Sequence, residues 1–214
     1  MTDVLSHRGP DDKGLFFNDR VGLGHRRLSI IDLSDKGKQP MFNEDNSLAL
    51  VFNGEIYNFK ELRNQLISKG HIFKSKSDSE VILHLYEEYN TECTKYLEGM
   101  FAFAIYDSHR ENIFFARDRV GEKPLYYYKD KHAFYFSSEI KSFFTLDDFE
   151  KKLSMEGLHT YFNNIQIPAP KTIFEGVKKF RPAHWFLLDA EGREIEKPYW
   201  NVDCTKKTKL SIGD

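Results

Sequence analysis

Short apolar runs rich in aromatic residues alternate with turn signals through the middle of the chain. Stretches containing Gly, Asn, Asp or Pro separate these runs at hairpin distances, which is typical of antiparallel strands. The predicted strands cover residues 48–52, 101–106, 113–115, 125–128 and 133–136. The first is predicted to stop at Asn53 and Gly54, because Asn-Gly after a strand is the commonest tight-turn signal.

Three other stretches carry helical periodicity. Ser77 and Glu80 form a capping-box pattern, which predicts a helix start, and apolar residues recur at helical spacing over 81–89. A second helix is predicted from Phe59 to a stop at Lys69 and Gly70, and a third over 154–163. Groups of strands interspersed with helices predict an α+β fold in which helices cover antiparallel sheets.

Composition limits the class of protein. Lys and Arg total 31 against 33 Asp and Glu, a net charge of −2 that disfavours a nucleic-acid binder acting through bulk charge. No apolar run approaches the ~18 residues of a membrane helix, and the first residues do not resemble a signal peptide. The two cysteines, Cys93 and Cys204, form no CxxC pair. We therefore expect a cytoplasmic globular protein with no membrane or nucleic-acid partner.

Six motifs, taken in order, are more specific than a generic core. They are HRGPD (7–11), GHRRLSIID (24–32), VFNGEIYN (51–58), SDSEVILH (77–84), GMFAFAI (99–105) and RDRVGEKPLYY (117–127). Together they closely resemble the glutamine amidotransferase domain of glutamine-dependent asparagine synthetases, which belongs to the N-terminal-nucleophile type. Similar domains of the sugar-phosphate and purine branches share the fold, but these motifs resemble the asparagine branch more closely.

The resemblance implies a four-layer αββα sandwich, with two antiparallel sheets face to face and helices outside. Residues 1–200 would be the amidotransferase domain, and the polar residues 201–214 a linker toward an ATP-dependent synthetase domain that is absent from this chain. The family places its nucleophilic cysteine on an N-terminal strand that precedes the HRGPD motif. We expect that strand to be missing here, as part of a missing segment of at least roughly 20 residues. We therefore expect the chain by itself to be inactive.

The charged groups of glutamine indicate which residue types are suited to bind it. A guanidinium can grip both oxygens of the α-carboxylate, and by resemblance Arg27 is that clamp, with Leu28, Ser29, Ile30 and Ile31 lining the same pocket. Taken alone, Arg27 reads equally well as a surface arginine. Asp78 matches the aspartate that meets the α-ammonium, although an acid near a helix start is also explained by the helix dipole.

Asn53 and Gly54 match the family's oxyanion hole. A side-chain amide and a backbone N–H of this kind are donors suited to the charge that develops on the attacked carbonyl. By the same resemblance, the segment that begins with Glu55 also contacts the amino-acid end of glutamine. Without the resemblance, an ordinary hairpin turn at Asn53 and Gly54 is the simpler reading.

No metal site is expected, because His7, His25 and His84 lack metal-ligand spacing and are read as structural. The Arg117, Asp118 and Arg119 cluster is interpreted as bracing a loop rather than as catalytic. No cofactor is expected in this domain, whereas ATP and Mg²⁺ are expected in the synthetase domain. The expected partners are glutamine and that synthetase domain, with a homodimer left open.

The resemblance implies a glutaminase that releases ammonia for ATP-dependent amidation of aspartate in the full-length protein. An alternative is the same domain serving another carboxylate acceptor. A second alternative, favoured by the missing cysteine, is an inactive scaffold module that keeps the glutamine pocket. Neither Cys93, near the end of a helical region, nor Cys204, in the tail, is a convincing substitute nucleophile. Thr2 is a nucleophile type known for this fold, but it lies off the expected catalytic strand.

Overall fold

Antiparallel sheets make up most of the protein, and the structure, a computed structural model, describes residues 1–205. The strands are β1 (Asp12–Phe17), β2 (Gly22–Arg27), β3 (Met41–Phe42), β4 (Leu48–Ile56), β5 (Gly99–Asp107), β6 (Asn112–Arg117), β7 (Tyr126–Lys129), β8 (Phe134–Ser137), β9 (Val177–Lys179), β10 (His184–Leu188) and β11 (Glu194–Pro198). The α-helices are α1 (Phe59–Ser68), α2 (Glu80–Tyr89) and α3 (Met155–Asn164). Short 3-10 helices cover Thr2–Leu5, Asp35–Gly37, Asn90–Lys95 and Ile140–Thr145.

The central layer is a six-stranded sheet in the order β11-β10-β6-β5-β4-β3. Alternate residues of its strands point to opposite faces, and both faces are buried, which explains why β4 and β5 read as continuous apolar runs. Leu50 and Phe103 pack toward α1 and α2 on one face. Val51 and Ala104 pack toward the smaller sheets on the other.

The second layer consists of two separate pieces. One is the β1-β2 hairpin, and the other is a three-stranded sheet in the order β8-β7-β9. The 3-10 helix Ile140–Thr145 covers the outer face of the three-stranded sheet, where Phe143 packs with Tyr126 and Tyr128. Between the hairpin and β8 lies a slot of about 180 Å³. Within residues 1–205 no strand fills this slot, so one edge of β2 and one edge of β8 are unpaired.

The α+β sandwich of antiparallel sheets with helices outside is therefore confirmed. The five predicted strands form within one to two residues of their expected starts, and α3 begins after Ser154 as predicted, with the Ser154 hydroxyl accepting a hydrogen bond from the Gly157 N–H. Residues 201–205 carry no helix or strand, and the remainder of the predicted linker, 206–214, lies outside the described residues.

Two local predictions were wrong. Asn53 and Gly54 do not end a strand, because β4 continues through them to Ile56. The helix α2 begins at Glu80 after Ser79, and Glu80 accepts hydrogen bonds from the backbone N–H groups of Lys74 and Ser75 instead of from Ser77. At Gly54 the approach of the distant strand β5 overrides the local signal, and at Glu80 hydrogen bonds to the backbone of the preceding loop do so.

The cluster at Arg117 and Asp118 braces a loop, as predicted. The Arg117 guanidinium donates to the backbone oxygens of Gly121, Lys123 and Phe180. The Asp118 carboxylate accepts from several backbone N–H groups, those of Phe101, Val120, Glu122 and Lys123 among them. These contacts occupy both side chains with backbone atoms, which leaves them in a structural role.

Candidate functional site

A cavity of about 420 Å³ opens where β2 and β4 end beside the segment that precedes α2. Its volume lies in the range of small-ligand pockets. The cavity brings together every predicted site residue except one: Arg27, Leu28, Ile30, Ile31, Asn53, Gly54, Glu55 and Asp78. Ser29 does not line it, and its backbone N–H instead donates to Asp11 at 2.8 Å. Predicted residues from three separate segments thus converge on one pocket.

Asn53 lines this cavity and carries a side-chain donor without a partner. Its position in β4 places its side chain on the same face as Ala49 and Val51, toward the second layer. The side-chain nitrogen, Nδ2, is buried and has no hydrogen-bond partner. A buried amide donor without an acceptor costs free energy, and native structures rarely keep one without a reason. Asn53 lies where the cavity meets the slot, since it lines both.

The backbone N–H of Gly54 also points away from its neighbouring strand. Tyr57 donates to Glu98 across the β4-β5 pair, so odd-numbered positions of β4 bond to β5 and even-numbered ones do not. The N–H groups on either side along this edge are taken up by side chains: Phe52 donates to Gln39 at 2.7 Å and Ile56 to Asp78 at 2.9 Å. The Gly54 N–H between them is therefore directed into the cavity edge that Gln39 and Asp78 line.

Gly54 is also required by packing. A Cβ at this position would lie 2.2 Å from the Met100 carbonyl oxygen of β5. Such a contact is impossible without moving backbone, so only glycine fits here. This close approach is the reason that the Asn-Gly pair sits within a strand and not at a turn.

Asp78 is buried beside the last residue of β4, Ile56, and 5% of its surface is exposed. Its carboxylate accepts from the Ile56 N–H and, at 3.3 Å, from the Ser77 hydroxyl. Burial raises the pKa of Asp78, against the lowering effect of these hydrogen bonds. A cationic group in the cavity would counter that desolvation, which makes the site suited to an ammonium ion.

The Arg27 guanidinium lies at the cavity wall but is partly engaged. It donates to the backbone oxygens of Ser34, at 3.0 Å, and Asp32. Arg27 thus fixes the 28–34 loop, whose Leu28, Ile30 and Leu33 side chains are more than half exposed. A guanidinium has five N–H donors, so donors remain for an anion in the cavity.

The cavity also includes residues that the sequence did not predict as binding, Gln39, Met100 and Lys123 among them, and His25, for which the sequence predicted a structural role only. His25 donates from Nε2 to the Phe52 carbonyl at 3.0 Å, which ties β2 to β4. Burial lowers its pKa to about 4, so His25 is neutral at physiological pH. Its Nδ1 is buried without a partner. Gln39 lies outside the six motifs, whereas Met100 stands within GMFAFAI, Lys123 within RDRVGEKPLYY and His25 within GHRRLSIID, so the motifs held a signal for these three.

Neither cysteine lies at the cavity. Cys93 is fully buried in the core beneath α2, and burial raises the pKa of its thiol. Cys204 is exposed in the tail. Thr2 lines the slot together with Asn53, from the 3-10 helix Thr2–Leu5. Within residues 1–205 the cavity therefore presents donors and charges but no thiol.

We predict that the purified 214-residue chain releases ammonia from glutamine no faster than buffer does. Acyl transfer needs a nucleophile beside the oxyanion donors, and both thiols are elsewhere. Ammonia release should be measured by a coupled assay, with a Thr2→Ala variant as control. Turnover that disappears in Thr2→Ala would contradict the prediction and assign the attack to the threonine hydroxyl.

A family model described as "Glutamine amidotransferase domain" matches residues 1–200. The chain belongs to the glutamine amidotransferase domain family. This confirms the relationship that the six motifs indicated.

Several of the similar proteins are named as glutamine-hydrolysing asparagine synthetases. Asparagine synthetase [glutamine-hydrolyzing] 3 of Bacillus subtilis is 41% identical over 211 residues, covering 97% of this chain and 34% of the relative. Amidase chry2 of Gibberella zeae is 38% identical over 207 residues, covering 96% of this chain and 30% of the relative. The chain thus spans about a third of the length of these relatives and matches the amidotransferase domain of the synthetases.

Among solved structures, the glutamine phosphoribosylpyrophosphate amidotransferase of B. subtilis is similar, with a TM-score of 0.59 at 22% identity. The similarity covers 84% of this chain and 35% of that one. At this identity the likeness concerns the fold. No helix within the described part of the chain is long and apolar enough to cross a bilayer.

Proposed function

We propose that this domain binds glutamine and hydrolyses it to glutamate and ammonia when it forms part of the full-length protein. The observation that carries the proposal is the buried, partnerless Nδ2 of Asn53, in a cavity that also holds Arg27 and Asp78. A donor kept without an acceptor is what preorganised stabilisation of a transient oxyanion requires. The Gly54 N–H, free of β5, is the second donor.

The rest of glutamine is assigned by charge. Arg27 meets the α-carboxylate, and Asp78 meets the α-ammonium. Leu28, Ile30 and Ile31 cover the ligand from the 28–34 loop, with Glu55 at the amino-acid end. Ser29 supports the loop through Asp11 without touching the ligand. These roles follow from complementary charge and from the shared cavity.

Replacing Arg27 by alanine should weaken glutamine binding tens- to a hundredfold. The change removes a charge-assisted contact worth about 2–3 kcal/mol and also frees the loop that Arg27 holds. Binding should be measured by titration calorimetry on the full-length protein made inert at its nucleophile. Arg27→Lys should recover only part of the loss, because an ammonium cannot form the planar fork.

Arg20→Ala is the matched control, since Arg20 is exposed and pairs with Glu111 outside the cavity. It should leave the affinity for glutamine unchanged. Equal affinities in Arg27→Ala and Arg20→Ala, with both proteins folded by circular dichroism, would place the carboxylate clamp elsewhere.

On this proposal residues 1–200 are the amidotransferase domain, and 201–214 lead toward a synthetase domain that uses ATP and Mg²⁺ to activate aspartate. That domain is then the partner that consumes the ammonia, in the cytoplasm, and a homodimer is compatible with it. The support is the similarity to asparagine synthetases along 97% of this chain. If the domain is instead an inactive scaffold, the full-length protein should bind glutamine without releasing ammonia.

The alternative is that the same glutaminase serves a different carboxylate acceptor. It is kept because a relative of similar identity, Amidase chry2, is not named as an asparagine synthetase. The cavity described here accounts for glutamine alone, so the acceptor must be chosen elsewhere in the full-length protein. Supplying the full-length protein with glutamine, ATP and aspartate, and then with other carboxylic acids, separates the two readings by the amide that forms.

A further inference from the structure

Outside the glutamine cavity, two histidines and several glutamates meet at the outer side of the helix layer. Glu44 follows β3, His71 follows α1, and His84 and Glu87 lie in α2. One ligand atom from each of Glu44, His71 and His84 lies within 4.8 Å of the others. Three segments that are distant in sequence thus place nitrogen and oxygen donors at one point.

The donors surround the Nδ1 atom of His84, a side chain that is 1% exposed. The Oε2 atom of Glu87 lies 2.7 Å from this nitrogen, and the Oε2 atom of Glu44 lies 3.8 Å from it. The same Glu87 oxygen is 3.3 Å from Nδ1 of His71. Both imidazoles therefore turn Nδ1 toward shared carboxylate oxygens.

A second carboxylate stands behind each imidazole. The Nε2 atom of His71 is 3.1 Å from Glu88, which Lys69 holds in turn at 2.6 Å. The Nε2 atom of His84 is buried without a hydrogen-bond partner, and Glu80 lies 3.9 Å from it. Metal-binding histidines characteristically place their second nitrogen against a carboxylate, which orients the ring and raises its basicity.

The carboxylate ligands are oriented as well. The Ile72 N–H donates to Oε1 of Glu44 at 3.2 Å, and the Asn43 side chain donates to Oε1 of Glu87 at 2.8 Å. In each glutamate one oxygen is held by the protein and the other faces the histidines. This arrangement is typical of ligands positioned by a surrounding hydrogen-bond network.

We propose that Glu44, His71, His84 and Glu87 bind a divalent transition-metal ion of the Zn²⁺ class. Two imidazoles with carboxylates form a donor set that suits Zn²⁺ and not Mg²⁺ or Ca²⁺, which take oxygen ligands. Ligands at ~2.0–2.2 Å around a tetrahedral ion lie roughly 3.3–3.5 Å apart, so small side-chain rotations close the site. On binding, the ion displaces the protons that lie between the Glu87 carboxylate and the Nδ1 atoms of His71 and His84.

The site ties the β3-β4 loop, the end of α1 and α2 together, so the ion should stabilise the fold by mass action. The test is a Zn²⁺ titration of the 214-residue chain by calorimetry, in a Cys204→Ser background that removes the exposed thiol. We expect saturable binding of one ion with a dissociation constant in the micromolar range or tighter. Zn²⁺ should raise the melting temperature, and Co²⁺ should give the intense visible absorption of tetrahedral coordination.

His71→Asn and Glu44→Gln should each lower Zn²⁺ affinity at least about tenfold. Both side chains are partly exposed, so both variants should fold, which circular dichroism checks. The matched control is His132→Asn, because His132 is exposed in the β7-β8 turn. Absence of saturable one-to-one binding, or equal affinity in His71→Asn, Glu44→Gln and His132→Asn, would overturn the proposal.

Discussion

Asn53→Ala is expected to lower kcat for glutamine hydrolysis by the full-length protein about 10²–10³-fold, with little change in KM for glutamine. The physical reason is that Nδ2 of Asn53 is buried and unpaired, so it reorganises little when the carbonyl becomes an oxyanion. Removing one such donor from a preorganised oxyanion hole costs about 2.7–4 kcal/mol of transition-state stabilisation. In the proposed assignment, ground-state binding of glutamine depends more on Arg27 and Asp78, which remain. Steady-state kinetics of ammonia release measure both constants.

The control for this prediction is Asn163→Ala, since Asn163 is an exposed amide in α3. It should leave both constants unchanged. Amide formation with ammonia supplied directly should also be unaffected in Asn53→Ala, because that reaction bypasses the glutamine site. If kcat falls less than tenfold in Asn53→Ala, the Asn53 side chain is not part of the oxyanion hole.

Three strands of the central sheet, β4, β5 and β6, were predictable because their chemistry is local, whereas β3, β10 and β11 were not predicted. β5 and β6 are buried on both faces, so their sequences are unbroken apolar runs bounded by turn residues. The helix α1 buries one side, which the periodicity of its sequence shows, whereas α2 is buried on all sides over 80–86. What sequence could not settle was the division of the second layer, since strand partners depend on contacts far apart in the chain.

The two wrong predictions share one cause. Asn53 and Gly54 carry a strong turn signal, yet the need for β5 to approach Gly54 keeps the pair within β4. Glu80 carries a capping signal, yet its carboxylate bonds to the 74–75 backbone. In each case a competing contact outweighs a local preference worth about 1 kcal/mol. The competing contact is with the distant strand β5 at Gly54 and with the nearby backbone of 74–75 at Glu80.

The candidate site was predictable only as far as its motifs extended. Arg27, Asn53 and Asp78 stand within motifs, and the structure brings them to one cavity. Gln39 enters the same cavity from a connecting segment outside the motifs, whereas Lys123 stands within the RDRVGEKPLYY motif but was not predicted to bind. The Glu44, His71 and His84 cluster shows no metal-ligand spacing in the sequence either. Its donors come from three separate segments, which must pack together before the donors meet.

Gly54→Ala is expected to destabilise the chain by about 3 kcal/mol or more, because the added methyl group cannot be accommodated by a side-chain rotation. The new Cβ would lie 2.2 Å from the Met100 oxygen and 2.8 Å from the Phe101 Cα, and both are backbone atoms of β5. Relief requires separating β4 from β5, which form the centre of the sheet. For a domain of this size the melting temperature should fall by roughly 6–12 °C.

Gly22→Ala is the matched control, since Gly22 also lies in a strand but its Cβ would meet only the Phe17 ring, at 3.0 Å. An exposed ring can move, so the control should melt within about 2 °C of the parent chain. Thermal unfolding of the three proteins, followed by circular dichroism, measures the difference. If Gly54→Ala melts with the parent, β4 and β5 are further apart than described. The Gly54 N–H would then lose the geometry that directs it into the glutamine cavity, so the same measurement also tests the second oxyanion donor.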